Sequence, residues 1–105
     1  MVATSFSGLK WKPMASGHLC LELTDRIGWH EFPKFAERLV SDFGWNVVEK
    51  SVVADMHIWG LKFENEQIRL VFDDFPLMIS LESDSHKGDE IIKSLALKLT
   101  DATVN

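Results

Sequence analysis

Four histidines and one cysteine are the side chains of this 105-residue chain best suited to chemistry. Asp55 and His57 stand two apart, so on a strand both point to one side. A carboxylate beside an imidazole can orient it as a general base or a metal ligand. The plainer use of the pair is as polar groups at a strand start or turn, and Trp59 in the same phase favours packing. His18 and Cys20 share the spacing. A Cys–His nucleophile needs a third group to orient the base, and a zinc site needs four ligands, or three and a water. Two residues supply neither, so an ordinary packed cysteine is the simpler reading. His30-Glu31 and His86 sit in separate segments and meet these groups only through the fold.

No H-E-x-x-H, C-x-x-C, Gly-rich phosphate loop or G-x-S-x-G occurs. Their absence argues against the common metal, nucleotide and hydrolase classes. The sequence assigns no catalytic, cofactor-binding or metal-binding residue. Glu64, Glu66, Asp73 and Asp74 concentrate negative charge at successive turns, which a hairpin meander places at opposite ends of a sheet; they read as solvated turn carboxylates.

A net charge of -5 and eleven scattered Lys and Arg residues argue against a nucleic-acid surface. One cysteine makes no internal disulfide, which points to a reducing compartment. No apolar run has signal-peptide or membrane-span length, so the expectation is a cytoplasmic protein without membrane contact.

The elements that must position these groups begin with residues 47–83, which read as four strands joined by short turns. Trp59, Leu61 and Phe63, then Ile68, Leu70 and Phe72, then Leu77, Ile79 and Leu81 recur with period two, the mark of half-buried strands. A loop at Asn65-Glu66 sets Phe63 opposite Ile68, Leu61 opposite Leu70 and Trp59 opposite Phe72. A tight loop within residues 73–76 sets Phe72 opposite Leu77, Leu70 opposite Ile79 and Ile68 opposite Leu81, with Pro76 outside the ladder. In that register the other face sets Val71 opposite Met78, with Gly60 beside Val71. Lys62 falls opposite Arg69, a repulsion that Glu82 or a partner's carboxylate relieves. Left uncovered, this face is an apolar patch of the kind that marks interfaces. Lys62, Arg69, Val71, Met78 and Trp11 are the candidate interaction residues, with Leu97 secondary.

Residues 18–24 alternate Leu19, Leu21 and Leu23 against Cys20 and Glu22, which predicts a further strand. Phe32, Phe35, Ala36, Leu39, Val40 and Phe43 follow helical spacing, with Pro33 in the first turn and Gly44 as a C-terminal stop. Ile91, Ile92, Leu95, Ala96 and Leu99 form a second apolar stripe, and Asp89 and Glu90 suit the positive end of its macrodipole. Residues 1–17 read as a partly ordered arm with a short edge strand near Leu9 to Lys12, and residues 18–105 as a single domain. The fold class is α+β: a mostly antiparallel five-stranded sheet with two helices packed on one face, in the order β-α-β-β-β-β-α. The place of the first strand in the sheet is left open.

The strand Leu19-Cys20-Leu21-Glu22-Leu23, the helix end Phe43-Gly44-Trp45 and the Trp59 strand running into Leu77-Met78-Ile79-Ser80-Leu81-Glu82 carry a resemblance. Together they resemble a family of small gammaproteobacterial proteins of unknown function. The resemblance implies this fold class and a bacterial source, and it transfers no site residues. The expected function is a non-enzymatic protein-interaction module without a cofactor, binding a protein partner or itself through the open sheet face or an edge strand. The alternative is a small-ligand-binding protein or enzyme with a helix–sheet pocket near Asp55 and His57.

Overall fold

The computed structural model describes residues 9–104, and side chains as far as Asp101. Residues 1–8 of the expected arm lie outside the described residues. The elements are β1 (Lys10–Trp11), β2 (Cys20–Thr24), α1 (Phe32–Phe43), β3 (Asn46–Val53), β4 (Met56–Phe63), β5 (Glu66–Asp74), β6 (Leu77–Glu82) and α2 (His86–Val104). The strands form one sheet in the order β1-β2-β6-β5-β4-β3, and every neighbouring pair is antiparallel. The expected five strands become six because Lys10 and Trp11 pair with Glu22 and Leu21. β2 lies beside β6, the place that the sequence left open. Three strands separate β2 from β3, so the two run parallel and α1 carries the chain from one side of the sheet to the far edge.

Both helices bury their apolar stripes against one face. Phe32, Phe35, Ala36 and Leu39 of α1 share a cluster with Ile92, Leu95 and Leu99 of α2 and with the period-two residues of β4, β5 and β6. Of the nine strand positions, seven are buried, and Phe63 and Leu77 are half-buried against the same cluster. Each fully buried Leu or Phe contributes about 1.5–3 kcal/mol, so this layer outweighs any single polar contact in the molecule. α1 stops at Gly44, whose φ of 69° is the left-handed conformation that glycine adopts without strain. The Trp45 N–H then donates to the Val40 carbonyl at 3.0 Å, and the indole stacks on Phe43. At the start of α2, Ser85 Oγ accepts from the Gly88 N–H at 2.9 Å, which is N-capping. Among the described residues, no helix is long and apolar enough to cross a membrane.

The hairpin registers differ from expectation. The β4–β5 loop is Glu64-Asn65, so Phe63 pairs with Glu66, Leu61 with Ile68 and Trp59 with Leu70. Glu64, not Asn65, opens the turn in the left-handed region, at φ 57°. The β5–β6 loop is Phe75-Pro76, so Asp74 pairs with Leu77, Phe72 with Ile79 and Leu70 with Leu81. Both ladders are displaced by two residues from the expected pairing. A shift of two returns every side chain to its own face, so the buried layer is unchanged. The individual pairs do change. Lys62 faces Gln67, not Arg69; Val71 faces Ile58 and Ser80, not Met78; Met78 faces Asp73.

Candidate functional site

The sheet face away from the helices carries three cross-strand rows. Met56, Asp73 and Met78 form one, Ile58, Val71, Ser80 and Glu22 the next, and Gly60, Arg69, Glu82 and Cys20 the third. Neither helix contributes to this face, yet Val71 and Cys20 are each 3% exposed and Ser80 is 6% exposed. They lie in a concavity of about 150 Å³ walled by Met14, Met56, Met78 and Pro76. Every methionine among the described residues lines it. A small-molecule pocket takes roughly 300–1,000 Å³, so this groove suits one bulky side chain better than a free ligand.

Its polar groups are mostly acidic. Glu22, Asp73 and Glu82 line the groove, with Lys12 as the one lining cation. Arg69, opposite Glu82 on the neighbouring strand, donates to Asp84 at 3.0 Å and to Glu82 at 3.4 Å. Asp73 Oδ1 accepts from the Phe75 N–H at 3.1 Å and so fixes the turn beside Pro76. Burial pushes the Cys20 thiol up, against the pull of its hydrogen bond with Ser80, and the nearby Glu82 and Glu22 charges push the same way as burial. A thiol held protonated is a poorer nucleophile than a thiolate.

The structure gathers some of the predicted interaction residues and separates others. Val71 and Met78 meet at the groove and Arg69 lies opposite Glu82 outside its lining, but Val71 is the buried floor and not an exposed patch. Lys62 is exposed one row beyond. Trp11 is 51% exposed on β1 and alternates away from the side taken by Lys10 and Lys12. Leu97 is exposed on α2, remote from the sheet. Met56 and Glu22 belong to the groove and had not been singled out as contacts; Met14, expected as an anchor of the arm, and Pro76 line it too. Met56 shares the phase of Ile58 and Gly60, a signal that was readable once the strand is extended back to it.

Asp55 and His57 form no dyad. Asp55 is exposed in the turn between β3 and β4, beside Ala54 at φ 52°. The His57 ring lies 4.1 Å from Trp29, 5.0 Å from Phe32 and 5.7 Å from Phe72, centroid to centroid. Burial lowers its pKa, a hydrogen bond with the Trp29 backbone opposes this, and no carboxylate contributes. Its Nε2 is buried without a hydrogen-bond partner among the described residues. One open space between helices and sheet lies at the other end of β4, a cleft of about 340 Å³ beside Phe43, Trp45, Phe63 and Ile91.

The remaining histidines do not converge with it. His30 and His86 are exposed, and Glu31 accepts from the Gly28 N–H at 2.9 Å where α1 begins. His18 lies just before β2, so strand alternation does not tie it to Cys20. Its Nδ1 donates to Asp89 at 3.0 Å, and the same carboxylate accepts from the Leu19 N–H and from Ser83 Oγ. A nucleophilic triad needs the imidazole between hydroxyl and carboxylate. Here the carboxylate is in the middle, so the three residues fasten α2 to β2 and do not activate Ser83. Among the described residues, no group of three or more His, Cys, Asp or Glu side chains is arranged to hold a metal ion.

No curated protein and no solved structure matches this chain. The family described as "protein of unknown function (DUF3630)" matches residues 9–100, from β1 through most of α2. A match over that span establishes that the chain belongs to the DUF3630 family.

Proposed function

We propose that this protein is a non-enzymatic interaction module that binds a protein partner through the uncovered face of its sheet. One observation carries the reading: the face without helices is a methionine-walled groove with a buried floor. Methionine side chains are flexible and polarisable, and they re-pack around a guest side chain at little cost. The edges of the sheet support strand addition less well. β1 is two residues long. β3 carries a bulge between Val47 and Glu49, and its charged Glu49 and Lys50 are exposed. Bulges and charges on an edge discourage pairing with another chain. The single cysteine is free and buried, which fits a reducing compartment and supports a cytoplasmic location as part of this reading.

The test uses the paired variant Met56→Glu/Met78→Glu, whose changes sit on half-buried groove walls and spare the core. Tagged wild type and variant are expressed in the native cell, and co-purifying proteins are quantified alongside circular dichroism of each. A partner retained by wild type and lost at least about tenfold from a folded variant is the expected result. Equal recovery of the same partners by both proteins would overturn the reading.

A further inference from the structure

We infer that the partner presents a basic polypeptide segment with a single bulky apolar residue seated in the methionine groove. This rests on the interaction reading above and adds the chemistry of the partner. The size argues for one anchor, since about 150 Å³ holds one large aliphatic or aromatic side chain and little else. The walls argue for an apolar anchor: Met56 and Met78 flank Asp73 in one row, with Val71 in the next. Apolar surface continues beyond the groove at Phe75, 87% exposed, and Val53, 54% exposed.

The charge argues for a cationic segment. The groove lining sets three carboxylates, Glu22, Asp73 and Glu82, against one cation among the described residues, Lys12. Arg69 is already engaged by Glu82 and Asp84. The Asp74 N–H donates to the Asp55 carbonyl at 3.1 Å, which brings the two acidic turns together beside the exposed Phe75 and Val53. An acidic segment would be repelled by Glu22 and Asp73 in the groove and by Asp55 at the turn. A basic one gains attraction and a faster, salt-sensitive encounter.

The experiment is a random-peptide display selection on the full chain, followed by titration of the enriched peptides into protein labelled at the methionine methyl carbons. Enriched peptides should carry Lys or Arg around one Leu, Ile, Met or Phe, and should shift the Met56 and Met78 methyl signals saturably. Replacing the anchor by Ala should weaken binding at least about tenfold. Raising salt from roughly 50 to 300 mM should weaken it several-fold. Acidic or neutral peptides, shifts confined to other sites, or no enrichment would overturn the inference. So would a doubled mass in solution that Met56→Glu/Met78→Glu abolishes, because the occupant is then a second copy. In each of those cases the interaction reading stands or falls separately, on the co-purification test.

Discussion

The Asp89 carboxylate holds the His18 imidazole at 3.0 Å across 71 residues of sequence. Leu19 N–H, at 2.9 Å, and Ser83 Oγ donate to the same carboxylate. Three donors from the start of β2 and the end of β6 therefore converge on the first turn of α2. Beside them the Ser83 N–H donates to the Leu19 carbonyl at 3.1 Å, which continues the β2–β6 ladder. The helix is pinned to the strands by one charged group.

The hydrogen bond from His18, then those from Ser83 and Leu19, hold the Asp89 carboxyl well below the usual carboxylate range. A depressed acid stabilises the fold fully above its unfolded value, about 3.9, and loses that contribution as pH falls through its folded value. Asp89→Ala should lower the urea midpoint at neutral pH with the slope unchanged. The gap to wild type should narrow once the pH drops below about 4. Equal midpoints at neutral pH would mean that the contact contributes nothing.

His57 gives the second pH dependence. Burial lowers its pKa, so the unfolded chain binds more protons than the folded one below the ordinary histidine value of about 6.5. Stability therefore falls on acidification through that range and is fully kept above it. His57→Phe keeps a ring between Trp29 and Phe32 and removes the unpartnered nitrogen. The variant should show a flatter stability profile between about pH 7 and 5 than wild type. An unchanged profile would assign that slope to other groups.

Phe32 anchors α1. Its ring is fully buried and meets His57, Trp59 and Phe72 within 5.5 Å, centroid to centroid. Phe32→Ala removes all three contacts and leaves a cavity under the first turn of the helix. It should destabilise the protein by about 3–5 kcal/mol in urea unfolding. A loss below about 1 kcal/mol would mean that α1 re-seats without this anchor.

What the sequence made legible follows from the period of a strand. Trp59 through Leu81 sorted onto one face correctly because the register error was two residues, and alternation does not notice a shift of two. The loops themselves were not legible. Asn65 looked like the left-handed residue, and Glu64 took that role. β1 is too short to carry a period, and no local signal says that β2 lies beside β6. The groove was half visible: Val71 and Met78 stood out, while the displaced register hid the row of Met56, Asp73 and Met78. Asp89 was legible only as a helix-terminus charge, because its partners lie up to 71 residues away.

Cys20 links the groove to the stability of the fold. Burial holds the thiol of Cys20, a residue 3% exposed, protonated, although a hydrogen bond with Ser80 that favours the thiolate opposes this. Alkylation needs an accessible thiolate. In the native protein, iodoacetamide should therefore modify Cys20 at least about tenfold more slowly than in urea, and mainly through opening of the sheet. If opening is the route, Asp89→Ala must speed the reaction although residue 89 does not line the groove. Modification as fast in the native state as in urea would show that the floor of the groove is open to solvent. A rate unmoved by Asp89→Ala, in a variant shown to be less stable, would place the opening within the groove walls, at Met14, Met56 and Met78.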